Sequence, residues 1–210
     1  MSNGVKKILI ILMFIPMTAG ISGCIKKSNM PEEIIFTKKA VLIIAGQGFQ
    51  DFEYSETRKA LTQAGIETII ASSIKSEARG KSGEKVKVDK IIEEINPEDF
   101  DALILIGGPG ALEYVDNPVI HQLIRQIVEQ KKLLGAICIA PEILAEAGVL
   151  KGKKATVWSS SIDRSPIKFL TENGAEYLDQ DVVIDGNIIT ANGPSAASIF
   201  GQKIVEFLNQ

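Results

Sequence analysis

Continuous apolar runs alternate with amphipathic segments along the chain from Lys39 to its end. A short apolar run without polar interruptions predicts a strand that is covered on both faces. Three such runs stand out, at residues 40–45, 102–106 and 133–138, and a fourth, mainly apolar run at residues 66–71 includes Glu67 and Thr68. A strand of this kind belongs to the interior of a sheet rather than to its edge.

Segments with helical periodicity separate these runs. Asn117 and Pro118 supply an N-cap and a first helical residue, and Gly65 ends the first segment. The predicted helices cover residues 52–64, a segment beginning at Pro118, and residues 141–147, 167–172 and 195–208. Strands that alternate with helices predict an α/β fold, in which helices cover both faces of a mostly parallel sheet.

Weaker patterns complete the domain. Residues 72–88 form a polar, glycine-containing loop with room for a short hairpin, and residues 154–158 are interpreted as a fifth strand. Asp185 and Gly186 separate two apolar segments, which is a strong hairpin signal. No internal repeat or low-complexity segment interrupts this order.

The first residues have the pattern of a secretory signal. Two lysines precede an apolar run over residues 8–21, which is shorter than the ~20 residues that span a bilayer. Residues 21–24 resemble a lipobox ending at Cys24. We therefore interpret residues 1–23 as a lipoprotein signal peptide, 24–38 as a tether and 39–210 as the folded domain. An uncleaved membrane anchor is the alternative, and both place the domain outside the cytoplasm, held to a lipid bilayer.

Composition excludes several classes of function. A net charge of -3 without a basic stripe argues against nucleic-acid binding. One histidine and two cysteines are too few for the usual zinc site, so we predict neither metal nor cofactor. The segment that begins at Gly46 lacks the third glycine of a dinucleotide-binding loop, because Asp51 stands there. If Cys24 carries lipid, Cys138 has no disulfide partner within the chain.

Three unusual segments lie at the carboxyl ends of predicted strands. They are residues 46–53, residues 107–110 and Cys138. Parallel sheets bind ligands beyond the carboxyl ends of their strands, so these segments predict one site.

Cys138 stands where a strand turns into a helix, with Ala136 and Ala140 on either side. This spacing resembles a nucleophile elbow, in which small residues permit a strained turn. The positive end of the helix would lower the thiol pKa below its usual ~8.5. The spacing alone is equally compatible with a reactive thiol and with an unreactive thiol packed in the core.

The other two segments offer complementary chemistry. Gly107 and Gly108 could present backbone amides to an oxyanion, or could only form a tight turn. Glu53 could be a surface residue favoured by the helix dipole, or a proton shuttle hydrogen-bonded to Cys138. His121 lies beside the apolar stripe of its helix, and we assign it no role.

Together these motifs resemble the DJ-1/PfpI family, within the class I glutamine amidotransferase-like superfamily. The resemblance rests on residues 49–53, 105–110, 136–141, 185–187 and 192–195. It implies a flavodoxin-like three-layer sandwich that forms a homodimer, with Cys138 as nucleophile and Glu53 as its partner. The backbone at Gly107, Gly108 and Ile139 would then form the oxyanion site.

The chain departs from the family pattern in one respect. Protease-like members carry histidine directly after the cysteine, where Ile139 stands here, and others supply one near the position of Trp158. Amide hydrolysis needs a general acid for the leaving amine, so a peptidase is disfavoured.

We predict an enzyme that acts on small reactive carbonyl compounds, similar to a glyoxalase or deglycase. The alternatives are a redox-sensing or stress-protective protein whose Cys138 is oxidised, and a binding module without chemistry.

Overall fold

The computed structural model describes residues 38–210, which form twelve strands and five α-helices. The strands are β1 (Lys38–Ile43), β2 (Gln47–Phe49), β3 (Ile66–Ser72), β4 (Glu77–Gly80), β5 (Lys85–Lys87), β6 (Lys90–Ile91), β7 (Ala102–Leu105), β8 (Leu133–Ile137), β9 (Lys154–Ala155), β10 (Glu176–Tyr177), β11 (Val182–Asp185) and β12 (Ile188–Ala191). The helices are α1 (Asp51–Gln63), α2 (Pro118–Glu129), α3 (Pro141–Glu146), α4 (Ser165–Glu172) and α5 (Ala197–Leu208). The four predicted apolar runs all form strands, and each predicted helix is present.

Seven of the strands form the central sheet, in the order β11-β12-β8-β7-β1-β3-β6. All neighbours are parallel except β11 and β12, which form the hairpin predicted around Asp185 and Gly186. Every residue of β7 and β8 is buried. Complete burial explains why their sequences are continuous apolar runs rather than alternating ones.

The direction of the crossovers places helices on both faces. The chain moves from β1 through α1 to β3 in one direction along the sheet, and from β7 through α2 to β8 in the other. Because both crossovers are right-handed by rule, α1 and α2 lie on opposite faces. The direction in which successive strands are added to the sheet reverses between β1 and β7. The carboxyl ends of these two strands therefore flank the switch point where such folds bind ligands.

Two small sheets account for the weaker patterns. Strands β4 and β5 form the antiparallel hairpin that the 72–88 loop had room for, and β2 pairs with β4. The fifth strand predicted over residues 154–158 is present but shorter than predicted. Only Lys154 and Ala155 pair, with β10, in a separate parallel sheet. The next amides leave this ladder, since Thr156 N–H donates to Thr190 Oγ1 at 2.9 Å and Trp158 N–H to the Cys138 carbonyl at 2.8 Å.

Within residues 38–210, none of the helices combines the length and apolar character needed to span a bilayer. The predicted signal peptide, the lipidation site at Cys24 and most of the predicted tether lie outside the described residues.

Candidate active site

Cys138 directly follows β8 and has a φ of 64°, in the left-handed region that non-glycine residues rarely adopt. Such a conformation costs roughly 1–3 kcal/mol and persists only where neighbours hold it. Here the Cys138 N–H donates to the Ala191 carbonyl at 2.9 Å, and its own carbonyl accepts from Trp158. The thiol is half-buried rather than sealed in the core. The strained strand-to-helix turn predicted at this residue is confirmed.

Glu53 lies in the first turn of α1 and is completely buried, so the interpretation as a surface residue is wrong. The side chain of Gln50 caps the helix by accepting from the N–H groups of Phe52 at 2.7 Å and Glu53 at 3.2 Å. This cap orients the first turn toward the glycine loop. Glu53 Oε2 accepts a hydrogen bond from Gly107 N–H at 3.1 Å, whereas its buried Oε1 has no hydrogen-bond partner among the described residues. The carboxyl group lies close enough to the Cys138 thiol that each group shifts the pKa of the other.

The glycine loop after β7 fits between these two elements only because it lacks side chains. A Cβ on Gly107 would lie 2.5 Å from Cys138 Cβ and 2.8 Å from Glu53 Oε2. Gly108 has a φ of 102°, and a Cβ there would lie 2.5 Å from Gln50 N. The Gly107 carbonyl accepts from Gln50 N–H at 2.9 Å, which ties the loop to the start of α1.

The amides around the sulfur differ from the predicted oxyanion site in one member. The Gly107 N–H is engaged by Glu53, so this group holds the carboxylate in place and is not available to an oxyanion. The amides of Gly108 and Ile139 lie near the Cys138 sulfur, and each acts to lower the pKa of the thiol. Two of the three predicted backbone groups therefore face the reactive atom.

Glu53 and Cys138 titrate as a pair. Burial raises the pKa of Glu53 from 4.5 to about 7, although the neighbouring Cys138 thiol and the Gly107 N–H oppose the shift. Burial and the negative charge of Glu53 raise the pKa of Cys138 to about 12. Between about pH 7 and pH 12 the two groups therefore share one proton. In this range the sulfur is a thiolate only while Glu53 carries that proton.

This result corrects the prediction that a helix lowers the thiol pKa. Helix α3 has only six residues and begins at Pro141, three positions after Cys138. Its dipole is weak compared with burial and with a carboxylate in contact, and the amides of Gly108 and Ile139 offset only part of the shift.

An open cavity of about 420 Å³ gives access to the thiol. The polar and aromatic side chains on its wall belong to Gln50, Lys81, Cys138, Glu142, Trp158, Asp163 and Ser165. Sequence reasoning missed Lys81, Glu142 and Asp163. Glu142 carried a weak signal, because it lies four residues after Cys138 in the first turn of a predicted helix. Lys81 and Asp163 lie in loops with no periodic pattern that could have indicated them.

Histidine is absent from the described residues that line this cavity. His121 lies elsewhere, and its Nε2 is 2.6 Å from the Val115 carbonyl oxygen. Ile139, which directly follows Cys138, and Trp158 both line the cavity, and neither supplies an imidazole. Over residues 38–210, no three His, Cys, Asp or Glu side chains come together as metal ligands.

Comparison with known proteins agrees with this architecture. A family model described as the DJ-1/PfpI family matches residues 38–207. The chain is 33% identical to the deglycase PfpI of Pyrococcus furiosus, over 80% of this chain and 98% of that protein. It is 36% identical to the putative cysteine protease YraA of Bacillus subtilis, covering 82% of this chain and 99% of the relative. A glutathione-independent glyoxalase of Caenorhabditis elegans, DJR-1.2, is 30% identical over 81% of this chain and 89% of its own length.

Among solved structures, a ThiJ/PfpI domain protein from Brachyspira murdochii superposes with a TM-score of 0.78 at 29% identity. The match covers 83% of this chain and 98% of that one.

Proposed function

The chain belongs to the DJ-1/PfpI family, and we propose that it is a cysteine-dependent enzyme acting on small reactive carbonyl compounds. Its activity would be similar to that of a glyoxalase or deglycase, the names carried by two of its relatives. One observation carries the proposal: at the wall of an open cavity, the Cys138 thiol lies beside the buried carboxyl group of Glu53, whose pKa is raised to about 7. A general base is most effective when its pKa lies near the working pH.

Addition to an aldehyde uses the groups that surround the sulfur. The Glu53 carboxylate takes the thiol proton while the sulfur forms a bond to the carbonyl carbon. The carbonyl π electrons move to oxygen, where the Gly108 and Ile139 amides stabilise the negative charge. Glu53 then returns the proton to that oxygen, which gives a hemithioacetal and a carboxylate ready for another transfer.

For a 2-oxoaldehyde the same carboxylate can complete the reaction. Glu53 removes the proton from the sulfur-bearing carbon, which gives an enediolate, and delivers it to the neighbouring carbon. The proton of the hemithioacetal hydroxyl moves to the neighbouring oxygen, so the product is a thioester of a 2-hydroxy acid. Water then cleaves the thioester, releasing the 2-hydroxy acid and restoring the thiol. The net change is addition of one water, so the sequence needs no oxidant or reductant.

A peptidase is less well supported, although one relative is named a putative cysteine protease. Peptide cleavage requires protonation of a leaving amine, which an imidazole usually provides. None of the described cavity-lining residues is a histidine. Addition to an aldehyde expels no amine, so it suits the residues that are present.

Turnover of methylglyoxal by the purified protein tests the proposal. Lactate should form with the wild type, none should form with Cys138→Ala, and Glu53→Gln should lower the rate by about 100-fold or more because the base is lost. Cys24→Ala serves as the control, since it removes the other thiol and should keep the wild-type rate. Equal rates for the wild type and Cys138→Ala would overturn the proposal.

A redox-sensing role is the second candidate, favoured by the half-buried thiol and the groups around it. Two backbone amides and a carboxyl group that shares one proton could hold an oxidised sulfur. The raised pKa of Cys138 argues for slow oxidation, because the thiolate is the form that reacts with peroxide.

Mass spectrometry after mild peroxide treatment tests this second role. Stoichiometric addition of two oxygens at Cys138, ahead of oxidation at Met30, would support it. An unmodified Cys138 would exclude it while leaving the carbonyl reaction possible.

A further inference from the structure

The cavity that contains Cys138 has a second group of ionisable side chains, which the proposed chemistry does not use. Glu142, in the first turn of α3, and Asp163, in the loop before α4, both line it. Glu142 is only 9% exposed. Its carboxylate accepts no hydrogen bond and makes no ion pair with any residue in the described part of the chain, and its oxygens keep contact with the open space of the cavity because neither is fully buried. A carboxylate on a side chain this buried is costly unless a partner compensates its charge.

The two carboxylates are close enough to influence each other. Burial raises the pKa of Glu142, and the negative charge of Asp163 raises it further. Asp163 itself is stabilised as an anion, because its Oδ1 accepts from the Ser165 N–H at 3.0 Å and the Ser165 hydroxyl at 2.6 Å, and its pKa is lowered. Neither carboxylate takes part in an ion pair among the described residues.

The remaining charges on the cavity wall do not cancel this negative field. Lys81 is the cation among the described lining residues, and its charge acts on Glu53. Two carboxylates therefore face one ammonium group, and the Glu53–Cys138 pair adds one more negative charge once its first proton has left. Trp158 also lines the cavity and offers an aromatic surface of the kind that binds organic cations.

We propose that Glu142 and Asp163 form a subsite for a positively charged group, an ammonium or a guanidinium, carried by a substrate whose carbonyl carbon reaches Cys138. The carbonyl end of this inference rests on the proposed function, whereas the cationic end rests on the two carboxylates. The preferred substrates are thus carbonyl compounds that bear a positive charge within the span of this cavity. An uncharged aldehyde would use only the Cys138 end.

Thiol-reactive probes of opposite charge test the subsite without requiring turnover. In a Cys24→Ala background Cys138 is the single thiol, and its rates with trimethylammonium-ethyl and sulfonatoethyl methanethiosulfonates can be compared. In both reactions the sulfur displaces a sulfinate and forms a mixed disulfide. The ratio of the two rates therefore cancels differences in thiol reactivity between variants.

We expect the ratio to favour the cationic probe, and to fall on the order of tenfold in Glu142→Gln and further when Asp163→Asn is added. Glu146→Gln is the matched control, because Glu146 lies on the same helix, exposed and outside the cavity lining, and should leave the ratio unchanged. The same ratio in the wild type and in the double variant would overturn the subsite. A thermal unfolding curve for each variant verifies that it is folded.

A pair of aldehydes of matched shape connects the subsite to the substrate. Trimethylammonioacetaldehyde and 3,3-dimethylbutanal have the same shape, but the first has a positively charged quaternary nitrogen where the second has a neutral carbon. The charged aldehyde should protect Cys138 from N-ethylmaleimide at about one-tenth the concentration of the neutral one, and Glu142→Gln should remove this difference. Equal protection by both would overturn the subsite. Failure of methylglyoxal turnover would instead count against the proposed function alone.

Discussion

At the scale of single residues, a buried carboxyl group and a strained cysteine define the chemistry. Glu53 is the only acidic residue that is completely buried among those described, and it contacts both Gly107 and Cys138. Its environment favours the neutral form, which makes it a proton carrier near neutral pH rather than a permanent anion. Because this environment disfavours the ionised carboxylate, Glu53 lowers the free energy of unfolding at higher pH.

The pH dependence of stability should reveal that cost. Since the pKa of Glu53 rises from 4.5 in the unfolded chain to about 7 in the folded protein, its contribution is most favourable below pH 4.5 and is lost as the pH rises through 7. The loss is about 3 kcal/mol in the free energy of unfolding. Glu53→Gln should therefore gain stability relative to the wild type between pH 4.5 and pH 8.

Denaturant unfolding at the two pH values measures this difference. Glu146→Gln, an exposed site on α3, should keep the pH dependence of the wild type. A constant difference between Glu53→Gln and the wild type at both pH values would contradict the raised pKa.

At the scale of elements, the site is an intersection of three chain segments. The start of α1, the loop after β7 and the end of β8 approach so closely that two successive positions in the loop must be glycine. Gly108 needs both a positive φ and an empty Cβ position. Gly65, which follows α1, has a φ of 68° but open space around it.

Alanine substitutions at these two glycines distinguish the cost of backbone strain from the cost of steric overlap. Gly65→Ala should cost about 1 kcal/mol in the free energy of unfolding, from the positive φ alone, and leave carbonyl turnover intact. Gly108→Ala carries the same strain plus overlap with Gln50, so it should cost about 3 kcal/mol or more and lower turnover at least 100-fold. Similar stability and activity in the two variants would show that the loop can move away from α1.

At the scale of the whole molecule, the resemblance and the first residues lead to two proposals. We propose that the protein is a lipoprotein, with lipid on Cys24 holding the domain to the outer side of a membrane. We also propose that it forms a homodimer, as the family resemblance implies. Phe52, at the start of α1, is 53% exposed and is one apolar side chain that such an interface could cover.

Membrane fractionation of cells that express the full chain tests the lipid anchor. The wild type and Cys138→Ala should both sediment with membranes and be released by detergent. Cys24→Ala should lose the mass of the attached lipid and move to the soluble fraction if no uncleaved anchor remains. Retention of Cys24→Ala on the membrane, with an unprocessed N-terminus, would support the uncleaved anchor instead.

Local sequence patterns predicted most of this architecture. The apolar runs identified β1, β3, β7 and β8, and the glycine, proline and asparagine positions marked the ends of the helices. Very short strands such as β6 and β10 were not predicted, because two residues carry no periodicity and are recognised only by their partners. Residues 156–158 resemble a strand locally, but their amides donate to β12 and to Cys138 instead.

The sequence by itself determined the order of strands and helices, and, through the rule that parallel strands end at one edge, that Glu53, the glycine loop and Cys138 would meet. Only the tertiary structure decided what they do there. It showed that Glu53 is buried, that it engages the Gly107 amide across 54 positions of sequence, and that the thiol pKa is raised rather than lowered. The reason is that periodicity is a property of neighbours along the chain. A pKa depends on burial and on charges a few ångströms away, which distant segments supply.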